Sequence, residues 1–321
     1  MNKPRREGTG FANSPAKQSK SSNTQHSAVD HTIKERKAVT LIDLGKLDEA
    51  EAIYKELIAL GTQSYSVYAN LAAICGMQRR FNELIELLQR ALQLKPDQPE
   101  IHNNLGVAYQ EQGELTAAIS SYKTALKLRS IYPEANNNLG NALKEQGDLT
   151  GAISCYKSAI RFKPNYAEAH NNLANALREE GNLSEAISCY KTAIKLKPNY
   201  PEAHYNLGNS LREEGDIIAA ISSYSSAIHL KPTYQKAYNN LGTALKDEGH
   251  LVAAHNAYNT ALRLRPEDPE AHNNLGTILK ELGDFHASIA SYKTALQLKP
   301  NDPEIYCNLG NALKKTGDLE A

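Results

Sequence analysis

The chain has 321 residues, with 36 Lys and Arg balanced by 36 Asp and Glu, which excludes a nucleic-acid binder that relies on overall positive charge. Residues 1–30 hold five basic against two acidic residues, so the remainder carries 31 against 34 and is mildly acidic. No apolar run nears the roughly 18 residues of a membrane span, and no apolar stretch follows the N-terminal basic residues. A cytoplasmic protein without a membrane partner is therefore expected. Four cysteines (Cys75, Cys155, Cys189, Cys307), none at C-x-x-C spacing, exclude a disulfide scaffold.

In chain order, residues 1–30 come first, rich in Ser, Lys, Asn and Gly and almost without apolar residues. They cannot bury enough surface to offset ordering entropy, so a disordered polar tail is expected. From residue 31 a period of 34 takes over. Leu-Gly recurs at 105–106, 139–140, 207–208, 241–242, 275–276 and 309–310, and Leu-Ala at 71–72 and 173–174 fills the gaps.

With that Leu set at position 7, eight units run over 31–302 and a partial ninth over 303–321. Each reads as a hairpin of two amphipathic helices. In unit 167–200, Ala169, Leu173, Ala174, Ala176 and Leu177 mark the first helix, and Leu183, Ala186, Ile187, Tyr190, Ala193 and Ile194 mark the second. Gly181 suits a left-handed helix end, Asn182 with Glu185 suits an N-cap, and Pro198 closes the unit. Asp268-Pro269 and Asp302-Pro303 place a cap ahead of an N1 proline. Tyr at position 24 (Tyr122, Tyr156, Tyr190, Tyr224, Tyr258, Tyr292) should fill the gap between hairpins, which accounts for much of a composition with 17 Tyr and no Trp. The expected fold class is all-α, a right-handed α-solenoid of helical hairpins.

The early units depart from this pattern. Thr62 replaces the closing proline of unit 31–64, Arg79 stands at the usual glycine of unit 65–98, and Leu88 at its usual tyrosine. They read as an N-terminal cap. Ser130 replaces the closing proline of unit 99–132.

No Gly-rich phosphate loop, nucleophile elbow or H-E-x-x-H helix is present. The chain itself is thus expected to hold no catalytic residues, cofactor or metal. His102, His170, His204 and His272 share position 4, a slot that also takes Tyr, and read as packing residues. The basic row at position 12 (Lys144, Arg178, Arg212, Lys246, Lys280, Lys314) is neutralised by adjacent carboxylates, so no nucleic-acid partner is expected.

Position 6 is Asn in every unit from the second: Asn70, Asn104, Asn138, Asn172, Asn206, Asn240, Asn274 and Asn308. Asn is a poor helix former, about 0.6 kcal/mol worse than Ala, so its repetition points to a ladder with a role beyond helix formation. With Asn141, Asn175 and Asn209 at position 9 it lies on a stripe away from the leucine that opens each Leu-Gly pair. On that reading, replacing the ladder with Ala should not reduce stability.

The 34-residue period with Leu-Gly, a small residue at 20, an aromatic at 24, Ala at 27 and Pro at 32 resembles the tetratricopeptide repeat (TPR). The PEAHNNLGNALKE-like start of the units is most similar to the TPR superhelix of protein O-GlcNAc transferases. That resemblance implies a concave groove in which these asparagines bond the backbone of an extended peptide. TPR clamps for chaperone tails use basic residues at positions 2 and 5; the Glu and Asn found here disfavour one. The reading is a protein-interaction scaffold that binds extended segments. The alternative is the substrate-recruiting region of a larger glycosyltransferase, favoured by a chain that stops inside its ninth hairpin.

Overall fold

The computed structural model describes residues 19–316, with side chains described from Asp30 onward. Among the described residues there are seventeen α-helices and no strand. The chain divides into two compact units, residues 1–130 and 131–321. The division falls directly after Ser130, the residue that stands in place of a closing proline.

In the first unit, α1 (Ser19–Asp43) pairs with α2 (Leu47–Ala59), α3 (Tyr65–Met77) with α4 (Phe81–Leu94), and α5 (Pro99–Glu111) with α6 (Leu115–Leu128). In the second, the hairpins are α7 (Pro133–Gln146) with α8 (Leu149–Phe162), α9 (Ala167–Glu179) with α10 (Leu183–Leu196), and α11 (Pro201–Glu214) with α12 (Ile217–Leu230). They continue as α13 (Gln235–Asp247) with α14 (Leu251–Leu264) and α15 (Pro269–Glu281) with α16 (Phe285–Leu298), followed by α17 (Pro303–Thr316). Within each unit, a second helix also packs on the first helix that follows it, and first helices α7, α9, α11, α13, α15 and α17 touch in succession. This is an all-α solenoid. No helix among the described residues is long and apolar enough to cross a membrane.

Helix α1 begins at Ser19, before the expected boundary at residue 31. Residues 19–30 belong to α1, a stretch with neither Pro nor Gly to stop a helix. Residues 1–18 of the expected tail, and residues 317–321, lie outside the described residues.

The local punctuation follows the residues. Gly181 ends α9 in the left-handed region at φ +89°. Asn182 then caps α10, its Oδ1 accepting from the Glu185 N–H at 3.3 Å while its Nδ2 donates to Glu185 Oε2 at 3.0 Å. The Asp268 carboxylate accepts from the N–H groups of Glu270 and Ala271, and Asp302 does the same for Glu304 and Ile305. Arg79 adopts φ 58°, a conformation costly for a residue with a Cβ.

The position-24 tyrosine packs inside its own hairpin, against the first helix, and not between hairpins as expected. A Cβ added to Gly140 would sit 2.6 Å from the Tyr156 ring, so glycine sets that close approach. Ala174 shows that a methyl can also stand at this position, because Tyr190 of the same hairpin is still fully buried. Alanines at positions 20 and 27, such as Ala186 and Ala193, are also fully buried. In the hairpins that carry such a ring, it is the largest fully buried side chain, and its removal from water is a major hydrophobic contribution.

Candidate functional site

The first helices bring the asparagines of positions 5, 6 and 9 onto one face, where they bond to one another. Asn172 Nδ2 donates to Asn137 Oδ1 at 3.0 Å and to Asn141 Oδ1 at 3.2 Å. Asn206 Nδ2 donates to Asn171 Oδ1 at 3.3 Å, Asn274 Nδ2 to Asn239 Oδ1 at 3.4 Å, and Asn308 Nδ2 to Asn273 Oδ1 at 3.1 Å. Asn240 Nδ2 donates to Asn209 Oδ1 at 2.8 Å and to the Tyr205 hydroxyl at 3.1 Å. Each of these position-6 amides therefore ties its repeat to the preceding one.

Position 9 has a second duty. Asn141, Asn175 and Asn209 accept from the hydroxyls of Tyr156, Tyr190 and Tyr224 at 2.8, 2.6 and 2.9 Å. Thr243 and Thr277 meet Tyr258 and Tyr292 in the same way. A fully buried ring thus keeps its hydroxyl satisfied at the edge of the face, as a buried tyrosine must. Burial pushes the Tyr224 and Tyr258 hydroxyls up to about 12.

These bonds overturn one expectation. Because Asn172, Asn206 and Asn274 donate to the buried Asn137, Asn171 and Asn239, Ala in their place would leave buried acceptors without a donor. That costs about 1 kcal/mol or more per site, larger than the helix-propensity gain of about 0.6 kcal/mol. The ladder is therefore a structural tie whose removal is expected to destabilise the fold.

The remaining predicted positions are placed as follows. Asn70 and Asn138 are half-buried on α3 and α7. Asn104, on α5, is exposed, and its carboxamide makes no hydrogen bond within the described residues. The donors of Asn206, Asn240, Asn274 and Asn308 are engaged, yet among the described residues their Oδ1 atoms accept no hydrogen bond and are not sealed from solvent. A polar cleft of about 410 Å³ opens on this face between Tyr205, Gln235, Asn239, Asn240, Arg265 and Glu270.

The buried asparagines of position 5 are the partners of the ladder that reasoning from the sequence missed. Their signal is the doublet Asn-Asn at 103–104, 137–138, 171–172, 239–240 and 273–274. A second missed group joins positions 31, 34 and 2. Lys163 lies over the Tyr166 ring at 4.6 Å and pairs with Glu134 at 2.8 Å, and Lys197 lies over Tyr200 at 4.7 Å and pairs with Glu168 at 2.6 Å. Hydrogen bonds from these lysines hold the Glu134 and Glu168 carboxyls below the ordinary carboxylate range.

The histidines of position 4 have a definite task. The Nε2–H groups of His102, His170, His204 and His272 donate to the carbonyls of Pro96, Pro164, Pro198 and Pro266 at 2.9–3.2 Å. They fasten the first helix to the loop before it. Among the described residues no three His, Cys, Asp or Glu side chains gather in a way that could hold a metal, and none of the four cysteines is in a disulfide. The basic row pairs mainly across repeats: Lys144 with Glu179 at 3.1 Å and Arg178 with Glu213 at 3.5 Å.

Segments matching the TPR repeat family model run through 80–113, 108–147, 140–177, 174–215, 208–249, 243–283 and 276–317, and a further tetratricopeptide repeat match covers 32–60. The chain belongs to the tetratricopeptide repeat family. Repeats of this family generally mediate protein–protein interaction. Among solved structures, the chain is similar to the APC/C hetero-tetramer Cut9-Hcn1, with TM-score 0.63 and 19% identity over 86% of this chain and 54% of that one. It thus spans about half the length of that neighbour. It is also similar to the C-terminal part of a TPR repeat-containing protein from Cytophaga hutchinsonii, with TM-score 0.59 and 19% identity over 75% of this chain and 98% of that one. Both likenesses concern the fold. No curated protein matches the chain at a significant level.

Proposed function

We propose that this TPR array is a non-catalytic protein-interaction scaffold that holds an extended peptide along the asparagine face of its first helices. The observation that carries the reading is the split use of the carboxamides of Asn206, Asn240 and Asn274. Their N–H sides are fixed by the preceding repeat, while their Oδ1 atoms are left without a donor among the described residues. An acceptor already held in place by its neighbour loses little freedom on binding a peptide N–H. It pairs with backbone whatever the side chains are.

The test uses 15-residue peptides selected from a phage-displayed library against the full chain. Two triple variants break the same three inter-repeat bonds. Asn206→Ala/Asn274→Ala/Asn308→Ala also removes the open acceptors, whereas Asn171→Ala/Asn239→Ala/Asn273→Ala leaves them. The first should weaken a selected peptide by about 3 kcal/mol, on the order of 10² in Kd, and the second by only a few fold. Equal losses would contradict the role of the ladder in binding.

A narrower reading makes the array the substrate-recruiting region of a larger glycosyltransferase of the O-GlcNAc transferase type. It is supported by the Asn-Leu-Gly start of the repeats at 104–106, 138–140, 206–208, 240–242 and 274–276. Sequencing of the reading frame past residue 321 decides it: a following nucleotide-sugar-binding domain supports it, and a stop codon contradicts it.

A further inference from the structure

Repeats 65–98 and 99–132 contain a cleft that the later repeats fill. Between repeats 133–166 and 167–200, six positions form a polar plug: Tyr156, Asn141 and Asn172 bond together, Lys144 pairs with Glu179, and Asn175 stands beside them. The same positions one pair of repeats earlier are Leu88, Ala73, Asn104, Gly76, Glu111 and Val107. Tyr, Asn, Lys and Asn have become Leu, Ala, Gly and Val. The result is a cleft of about 450 Å³ lined by these six residues together with Leu84, Phe81 and Arg79.

Two features indicate what the cleft takes. Its charges cancel: Arg79 lies 3.4 Å from Glu111 and its guanidinium sits 5.8 Å above the Phe81 ring, so it supplies the pairing that Lys144 supplies later and leaves an apolar floor. Its one neutral polar side chain is free. Asn104 has Ala69 and Ala73 where the later asparagines find acceptors, and its exposed carboxamide bonds to nothing among the described residues. A free amide beside a charge-balanced cleft with an apolar floor matches one residue of an extended chain, with a backbone N–H and C=O next to a large apolar side chain.

We infer that residues 69–111 form a subsite for one large apolar side chain, aromatic or branched aliphatic, of a partner peptide whose backbone pairs with Asn104. The inference rests on the peptide-binding reading above and adds a side-chain preference to it. Its test reads only residues 65–113, so it can fail while the position-6 variants succeed, and the reverse.

The full chain, methyl-labelled at Ala, Leu and Val, is titrated with N-acetyl-L-phenylalanine amide, N-acetyl-L-leucine amide and N-acetylglycine amide. The first two should give saturable shifts at Leu84, Leu88 and Val107 with Kd on the order of millimolar, and the glycine probe should give none. Leu88→Tyr/Ala73→Asn rebuilds the later plug, and the pairing of Tyr190 with Ala174 shows that a tyrosine fits opposite an alanine such as Ala72. This variant should lose at least roughly tenfold in probe affinity. Val107→Asn, on a half-open surface position, should weaken the probes without touching the core. Three results would overturn the inference: no saturable shifts at these methyls, unchanged binding by both folded variants, or shifts that track protein concentration without probe, which would make the cleft a contact between copies of this chain.

Discussion

Repeats 65–132 and repeats 133–302 share one 34-residue pattern yet solve the same packing problem with different chemistry. In the later repeats a buried tyrosine reaches the first-helix face and its hydroxyl meets Asn or Thr at position 9. The following repeat's asparagine then joins the same network. In repeat 65–98 the ring is replaced by Leu88 and the acceptor by Ala73, and the core around them is mainly aliphatic, built on Leu84, Ile85, Leu88, Ile101 and Leu105 with Tyr68 at its edge. In repeat 65–98 the tyrosine and its acceptor are both absent and space opens on the face, whereas repeat 99–132 keeps a buried Tyr122 with Val107 at position 9 and satisfies the hydroxyl through Gln110 instead, at 3.1 Å.

The largest expected effect comes from pH. Burial raises the hydroxyls of Tyr156, Tyr190, Tyr224 and Tyr258 above their ordinary value of 10.0. A raised folded value means stability that is fully present below about pH 10, where both states are neutral, and that is lost as pH climbs toward about 12 and only the unfolded chain ionises freely. Tyrosinate absorbance from the buried rings and loss of helical circular dichroism should therefore rise together in that window. Tyrosinate that forms fully while helicity stays intact would contradict their burial.

Next in size is truncation of the ring. Tyr190→Ala should cost about 3–5 kcal/mol, and Leu88→Ala, beside an open cleft whose walls can relax, about 2 kcal/mol. Denaturant titration fitted repeat by repeat gives both values; a larger loss at Leu88 would break the comparison.

Punctuation is legible in the sequence because its chemistry is local. Gly181, Asn182 with Glu185, and Asp268 before Pro269 act within a few residues, and each does what its type predicts. The asparagine positions are legible as well, but their partners are not. The bonds join residues 31 or 35 apart in sequence, and nothing in a single helix indicates that Asn171 is buried while Asn172 is half-open. The cleft shows in the sequence only as a set of departures, Leu88 and Arg79 among them, whose joint effect depends on Ala73, Gly76 and Val107 facing the same space.

The smallest expected effects belong to the loop ion pairs. Lys197 and Glu168 are each nearly half exposed, so Lys197→Met should cost about 0.5 kcal/mol or less, and less still at high salt. The lysine hydrogen bond holds the Glu168 carboxyl below its ordinary value. The contribution is therefore present above the ordinary carboxylate range and lost as pH falls through it, which unfolding at about pH 7 and about pH 3 compares directly.

The central claim is that asparagine side chains tie successive repeats together, and a double-mutant cycle on Asn137 and Asn172, 3.0 Å apart, tests it most directly. Wild type, Asn137→Ala, Asn172→Ala and the double variant are unfolded in denaturant and fitted to a nearest-neighbour scheme that separates repeat stability from interface stability. The account predicts a coupling of about 1 kcal/mol, carried by the interface between repeats 133–166 and 167–200. Additive losses within about 0.3 kcal/mol, or losses confined to the stability of the individual repeats, would contradict it.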